Sequence, residues 1–142
     1  MKDKLKYILM AMLVIVIAAG WYAYSEYNRK PADLSSVYAG AHTNADSLVA
    51  MYKKDEQKAN ELYLGKAIDV TGFIAEIINQ QETMVNILLS TSDDMHRVSC
   101  MMNVKRAGGI KQYNQGDKIT IRGICTGYLL DVELNRCVVV DK

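Results

Sequence analysis

Three kinds of hydrophobic pattern follow one another along the 142 residues of the chain. The first has no period. Tyr7 to Tyr24 is a run of 18 residues without a charge, preceded by Lys2, Lys4 and Lys6 and closed by Trp21, Tyr22 and Tyr24. An apolar stretch of this length sits at the short end of what crosses a bilayer as a helix. Lysines ahead of it and aromatics behind it match a cytoplasmic start and an interfacial belt. Residues 1–24 are therefore read as an uncleaved membrane anchor, with contact to the membrane through residues 7–24. The competing reading is a signal peptide with Ala18-Ala19-Gly20 as its small-residue cleavage site. The length of the run favours the anchor, and no cysteine lies near it, so a lipoprotein cleavage site is excluded. Under either reading the rest of the chain faces outward across the membrane.

After a mixed, polar linker over 25–43, which holds the only proline, Pro31, the pattern becomes helical. Thr43 followed by Asp46 is a capping-box start. Leu48, Tyr52, Ala59, Leu62 and Tyr63 then share one side, and the charged residues Lys53 to Lys58 populate the other. Gly65 is placed to close this helix, predicted over 44–64. From Lys66 the period changes to two. Ile68, Val70, Gly72 and Ile74 predict a first strand, and Asn79 to Glu82 a turn. A second strand follows through Val85, Ile87 and Leu89, and a third through Val98, Cys100 and Met102, joined by a loop over Ser90 to Asp94. A polar segment around Ala107-Gly108-Gly109, read as an irregular helix or loop, leads to a fourth strand at Ile119 and Ile121 and a fifth at Cys137 to Val140. Three strands, a connection and two more strands, with a helix ahead of them, is the order of a five-stranded OB barrel. The fold class is mainly β with helices, and residues 44–142 form the OB domain.

Two groups of residues carry a family resemblance. One is Tyr52…Glu56-x-x-Ala59-Asn60-x-x-Tyr63-x-Gly65-Lys66 with Val70-x-Gly72. The other is Gly116-Asp117-Lys118, then Ile121-x-Gly123-x-Cys125-Thr126-Gly127, then Asp131-Val132-x-Leu134-x-x-Cys137. Together, over Leu48 to Val140, they resemble the tRNA_anti-like OB-fold family of exported bacterial proteins. The resemblance implies an OB barrel in an exported setting and no established activity. Many relatives are lipoproteins, and this chain departs from them in its apolar anchor.

Charge narrows the choice of partner. Residues 31–142 hold 12 Lys or Arg against 14 Asp or Glu, a net charge of −2. A polyanion binder usually shows a marked basic excess, so nucleic acid is not expected. Lys105, Arg106 and Lys111 form the only local basic cluster. Catalytic constellations are sparse. Asp93-Asp94-Met95-His96 is the most reactive-looking group, but it falls in a turn where solvated polar residues are expected anyway. Cys100 in a strand interior reads as packed rather than nucleophilic. Cys125 and Cys137 flank the last turn and are a candidate disulfide, worth about 3 kcal/mol if formed. The alternative is that all three cysteines are small buried apolar residues. No spacing is CxxC, and neither His42 nor His96 is near a cysteine in sequence, so no zinc site and no cofactor is expected.

Binding without catalysis is the remaining class. An OB barrel presents its second and third strands to ligands, and alternation puts Phe73, Asn86, Arg97, Ser99 and Met101 outward. The tip Tyr128-Leu129-Leu130 is either a plug over one end of the barrel or, if exposed, an interaction site. The reading is a single-pass inner-membrane protein whose periplasmic OB domain binds a protein or an envelope polymer. An oligonucleotide is the alternative. Mass analysis of the mature chain should recover its extreme N-terminus. A form starting near Gly20 or Trp21 would establish the signal peptide instead.

Overall fold

The computed structural model describes residues 2–28, 34, 38–81, 83–93, 95–105 and 110–140. The chain divides into two compact units, Met1–Ala32 and Asp33–Lys142. The first is one helix, α1 (Lys2–Tyr27), whose segment Lys6–Tyr27 is long and apolar enough to cross a membrane, with a mean hydropathy of 2.0.

The second unit is built from β1 (Ala41–Asn44), α2 (Ala45–Lys54), α3 (Glu56–Tyr63), β2 (Ala67–Gln81), β3 (Met84–Ser90), β4 (Val98–Asn103), β5 (Lys118–Tyr128) and β6 (Val132–Val139), with a 3-10 turn at Ile110–Gln112. The strands run in the order β1-β2-β3-β4-β6-β5, and β2 also pairs with β5. The circuit β2-β3-β4-β6-β5-β2 is therefore closed, and it is the five-stranded OB barrel that the pattern predicts. Only β4 and β6 pair in parallel within it.

Closure rests on β2, which has 15 residues. Its first half pairs with β5 from Ala67 to Phe73, and its second half pairs with β3 from Phe73 onward. The strand changes partner beside Gly72, where a Cβ would lie 3.1 Å from Ala45 Cβ and 3.2 Å from Leu89 Cβ. Glycine here lets α2 and β3 approach the bend. A bulge follows between Ile74 and Glu76, and bulges of this kind bend and twist the strand that carries them. Inside, Ile68, Val70, Ile74, Ile87, Leu89, Val98, Met102, Ile119, Ile121 and Leu134 are buried at or near zero exposure.

The helical pattern over 44–64 is two helices. Asp55, with φ −158° and ψ 90°, leaves helical geometry, ends α2 and caps α3 by accepting from Lys58 N at 3.0 Å. The first cap is Asn44 rather than Thr43, its side chain accepting from Ser47 N at 2.7 Å. Leu48, Val49, Tyr52 and Ala59 turn inward from the pair and cover one end of the barrel.

Part of the segment read as linker is strand. β1 runs parallel to β2, with His42 opposite Asp69. Asp69 faces outward by alternation yet is only 6% exposed. Arg122 donates to both its oxygens, from Nε at 2.6 Å and Nη2 at 2.8 Å, and His42 Nδ1 lies 3.1 Å away. A bidentate pair satisfies a buried carboxylate in a way that a point charge does not. β5 and β6 are also longer than predicted, so Gly127 and Tyr128 belong to β5, and the last strand begins at Val132.

Tyr52 is 2% exposed, whereas Tyr63 is only partly buried against the same core. Tyr52→Ala should cost the full penalty of a deleted core aromatic, about 3–5 kcal/mol. Tyr63→Ala should cost measurably less, as read from the two melting temperatures.

Candidate ligand-binding face

The outward side of β2, β3 and β4 carries ordered rows. Ile78, Asn86 and Met101 stand opposite one another across the three strands, and so do Glu76, Leu88 and Ser99. Val85, Ile87 and Leu89 fill the barrel from the same β3, so alternation sends Asn86 and Leu88 outward. Ser99 Oγ donates to Asn86 Oδ1 at 3.1 Å, and Asn86 is only 8% exposed. The centre of the face is thus a polar pair flanked by the apolar side chains of Ile78, Leu88 and Met101. At its margin Arg97 reaches Glu76 at 3.8 Å, a solvated pair that contributes little. Phe73, opposite Ser90 where β2 changes partner, is 54% exposed.

Asn86, Ser99 and Met101 are therefore brought together as the sequence predicts, with Arg97 at the rim and Phe73 on the next row. Ile78 and Leu88 were missed. Leu88 follows from the alternation of β3 alone. Ile78 does not, because the bulge after Ile74 reverses which residues of β2 face out.

The hairpin between β5 and β6 divides its three tip residues. Tyr128 is the plug: its ring stacks on Tyr52 with centroids 5.6 Å apart, and its hydroxyl lies 3.2 Å from His96 Nδ1. Leu129 and Leu130 are 81% and 76% exposed and plug nothing. His96 Nδ1 is 2.7 Å from the Leu130 carbonyl, which can only accept, so this nitrogen carries the proton. Asp131 Oδ1 accepts from Arg97 N at 2.7 Å, and Leu129 N donates to Asp131 O at 3.2 Å. The bonds from His96 and Arg97 fix the tip to the loop between β3 and β4, and the third closes the turn itself.

The reactive-looking groups are occupied. Asp93 pairs with Lys53 and accepts from Met95 N, and the bond to Lys53 holds its carboxyl below the usual range. His96 is spent on Leu130, and Asp94 lies outside the described residues. Among the described residues no group of three metal-ligating side chains converges. Of the basic cluster, Lys105 is exposed, while Arg106 and the side chain of Lys111 lie outside the described residues.

All three cysteines are free and buried, so the candidate bond between Cys125 and Cys137 is not made. Their thiols have separate partners. Cys125 Sγ is hydrogen-bonded to the Tyr52 hydroxyl at 3.2 Å, and Cys137 Sγ donates to Leu134 O at 3.3 Å. Cys137 occupies the space over Gly123, where a Cβ would come within 2.6 Å of its sulfur. Burial, and after it the neighbouring Cys100, push the Cys137 thiol well above its ordinary pKa. Burial, and after it the bond to Cys125, do the same to the Tyr52 hydroxyl. Such a thiol packs as a small apolar group and is a poor nucleophile.

The chain matches the tRNA_anti-like family over residues 1–139. It belongs to that family. Among solved structures, this tRNA_anti-like chain is similar to a lipoprotein from Klebsiella pneumoniae subsp. pneumoniae, named as a candidate nucleic acid-binding protein. The two share 18% identity with a TM-score of 0.57, over 79% of this chain and 100% of that one. The likeness is one of fold. Weaker similarity extends to the asparaginyl-tRNA synthetase of Entamoeba histolytica (16% identity, TM-score 0.41, 55% of this chain and 21% of that chain). It extends also to an aspartyl-tRNA synthetase from Leishmania major (12% identity, TM-score 0.45, 80% and 23%). No curated protein matches the chain.

Burial of the three thiols gives a direct check. A thiol reagent should modify no cysteine in the native chain and all 3 after unfolding without reductant. A single reactive thiol after unfolding would show that two of them have been oxidised to a disulfide.

Proposed function

We propose that this tRNA_anti-like chain is a membrane-anchored binding module whose barrel stands in the periplasm and captures a protein or an envelope polymer without transforming it. The observation that carries this reading is the make-up of the outward face of β2, β3 and β4. Ile78, Leu88 and Met101 flank the Asn86–Ser99 pair, and among the described residues of those rows the charges are Glu76 and the rim pair it forms with Arg97. Apolar side chains around a small number of oriented polar groups suit an extended chain whose own side chains and amides lie across the strands. Single-strand binding asks for something else: a positive groove and successive rings, each ring contributing about 1–3 kcal/mol per stacked base. Phe73 is the one exposed ring near these rows, and the domain is slightly acidic. Anchoring in the inner membrane is supported by the hydropathy of Lys6–Tyr27 and by the order of lysines, apolar run and aromatics.

Oligonucleotide binding stays as a second reading because a structure of the same fold, the Klebsiella lipoprotein, is named as a candidate nucleic acid-binding protein. A photo-crosslinking residue at Met101, in the full chain in native membranes, should capture a protein or a glycan polymer. Leu88→Lys should abolish that capture while changing stability by no more than about 0.5 kcal/mol, as surface substitutions do. In parallel, labelled single-stranded DNA and RNA should fail to bind at low salt, where weak electrostatic attraction is exaggerated. Micromolar binding that collapses with added salt would reverse the two readings.

A further inference from the structure

From the geometry of the β5–β6 hairpin we infer that its tip is a second membrane contact, inserting Leu129 and Leu130 into the lipid surface and holding the barrel against the bilayer. The inference rests on the anchor reading of α1 and adds to it a surface, its residues and its partner.

The two adjacent leucines of the tip are held out by hydrogen bonds rather than left loose. Leu129 and Leu130 are 81% and 76% exposed, and Met95, next to His96, is 81% exposed. Three hydrogen bonds fix the tip: His96 Nδ1 to Leu130 O, Arg97 N to Asp131 Oδ1, and Leu129 N to Asp131 O. Tyr128 turns inward onto Tyr52 and draws the hairpin down on the cap helices. Leu64, 46% exposed, extends the patch, its Cδ1 lying 3.9 Å from where a Cβ on Gly127 would stand. A contiguous apolar patch held at the surface marks an interaction site.

The shape and position of the patch select the partner. It is the turn of a two-stranded hairpin with both leucines exposed, and an ordered protein surface would need a matching hollow to desolvate it. Hydrocarbon needs none, since a fluid phase takes any apolar protrusion that reaches it. The chain also enters the barrel at this end. Gly40 N donates to Ala67 O, Ala67 stands opposite Ile124, and β5 runs on from Ile124 to the tip. The dozen residues between Tyr27 and Gly40 span at most about 45 Å even when fully extended. A bilayer crossed by α1 is therefore within reach of the tip.

Single-tryptophan variants of the full chain, reconstituted into phosphatidylethanolamine–phosphatidylglycerol vesicles with or without brominated acyl chains, test this. In the parent, the one tryptophan is Trp21, and its quenching by brominated lipid reports the anchor. In a Trp21→Phe background, Leu129→Trp should emit to the blue and be quenched by brominated lipid. Gln112→Trp, at an exposed site in the connection between β4 and β5, should show neither effect. If Trp21 in the parent is quenched while Leu129→Trp emits as a solvated indole, the tip assignment falls and the anchor stands. A blue-shifted but unquenched Leu129→Trp means that the tip is covered by protein, which also overturns the proposal. An unquenched Trp21 overturns the anchor, and the inference with it.

Discussion

One strand has to satisfy two partners that lie in different directions, and the rest of the domain follows from how it does so. β2 bonds to β5 along its first half and to β3 along its second. A backbone group left unpaired inside a barrel costs about as much as a lost hydrogen bond, so the strand must turn without interrupting its ladders. Gly72 makes the turn sterically open, and the bulge after Ile74 adds the twist. Closing the circuit pairs each of the five barrel strands on both sides, and leaves only the short β1 with one partner. What remains open is the end of the barrel, and α2 and α3 cover it with Leu48, Val49, Tyr52 and Ala59.

Most of this architecture is legible in the sequence, because alternation over Ile68–Ile74, Val85–Leu89 and Val98–Met102 has one stable outcome when one face is buried. The failures are local and have physical causes. A residue that can cap helices interrupts a continuous amphipathic pattern at Asp55, and periodicity does not register the break. β1 is four residues long, too short for a period to register, and its stability comes from pairing with β2 and from the His42–Asp69–Arg122 contacts. The site shows the same division. Asn86, Ser99 and Met101 follow from strand alternation, whereas Ile78 required knowledge of a bulge. At the tip, turn chemistry alone does not distinguish Tyr128, which packs inward, from Leu129 and Leu130, which do not.

The cysteines and aromatics at the capped end show how composition misleads. Cys125 and Cys137 flank a hairpin and invite a covalent link, but their sulfurs serve different packing problems. One satisfies the hydroxyl of the buried Tyr52, and the other fills the gap left by Gly123. The Tyr63–Tyr52–Tyr128–His96 series of rings likewise belongs to the cap, with successive centroids 6.5, 5.6 and 5.8 Å apart. Rings committed to that stack are withdrawn from the outward face of β2, β3 and β4, which is one reason that face is aliphatic.

The parallel pairing of β1 with β2 has a mechanical consequence. The chain arrives at Gly40 and runs through β1 in the direction of β2, and β1 then passes directly into α2. A force applied at Gly40 along the strand axis therefore acts on β1 end-on. It loads the β1–β2 bonds together in shear instead of peeling them one at a time, and the Asp69–Arg122 pair behind them couples β2 to β5. Whatever pulls along β1 from its N-terminal side thus meets the domain at the place where its hydrogen bonds resist force in concert.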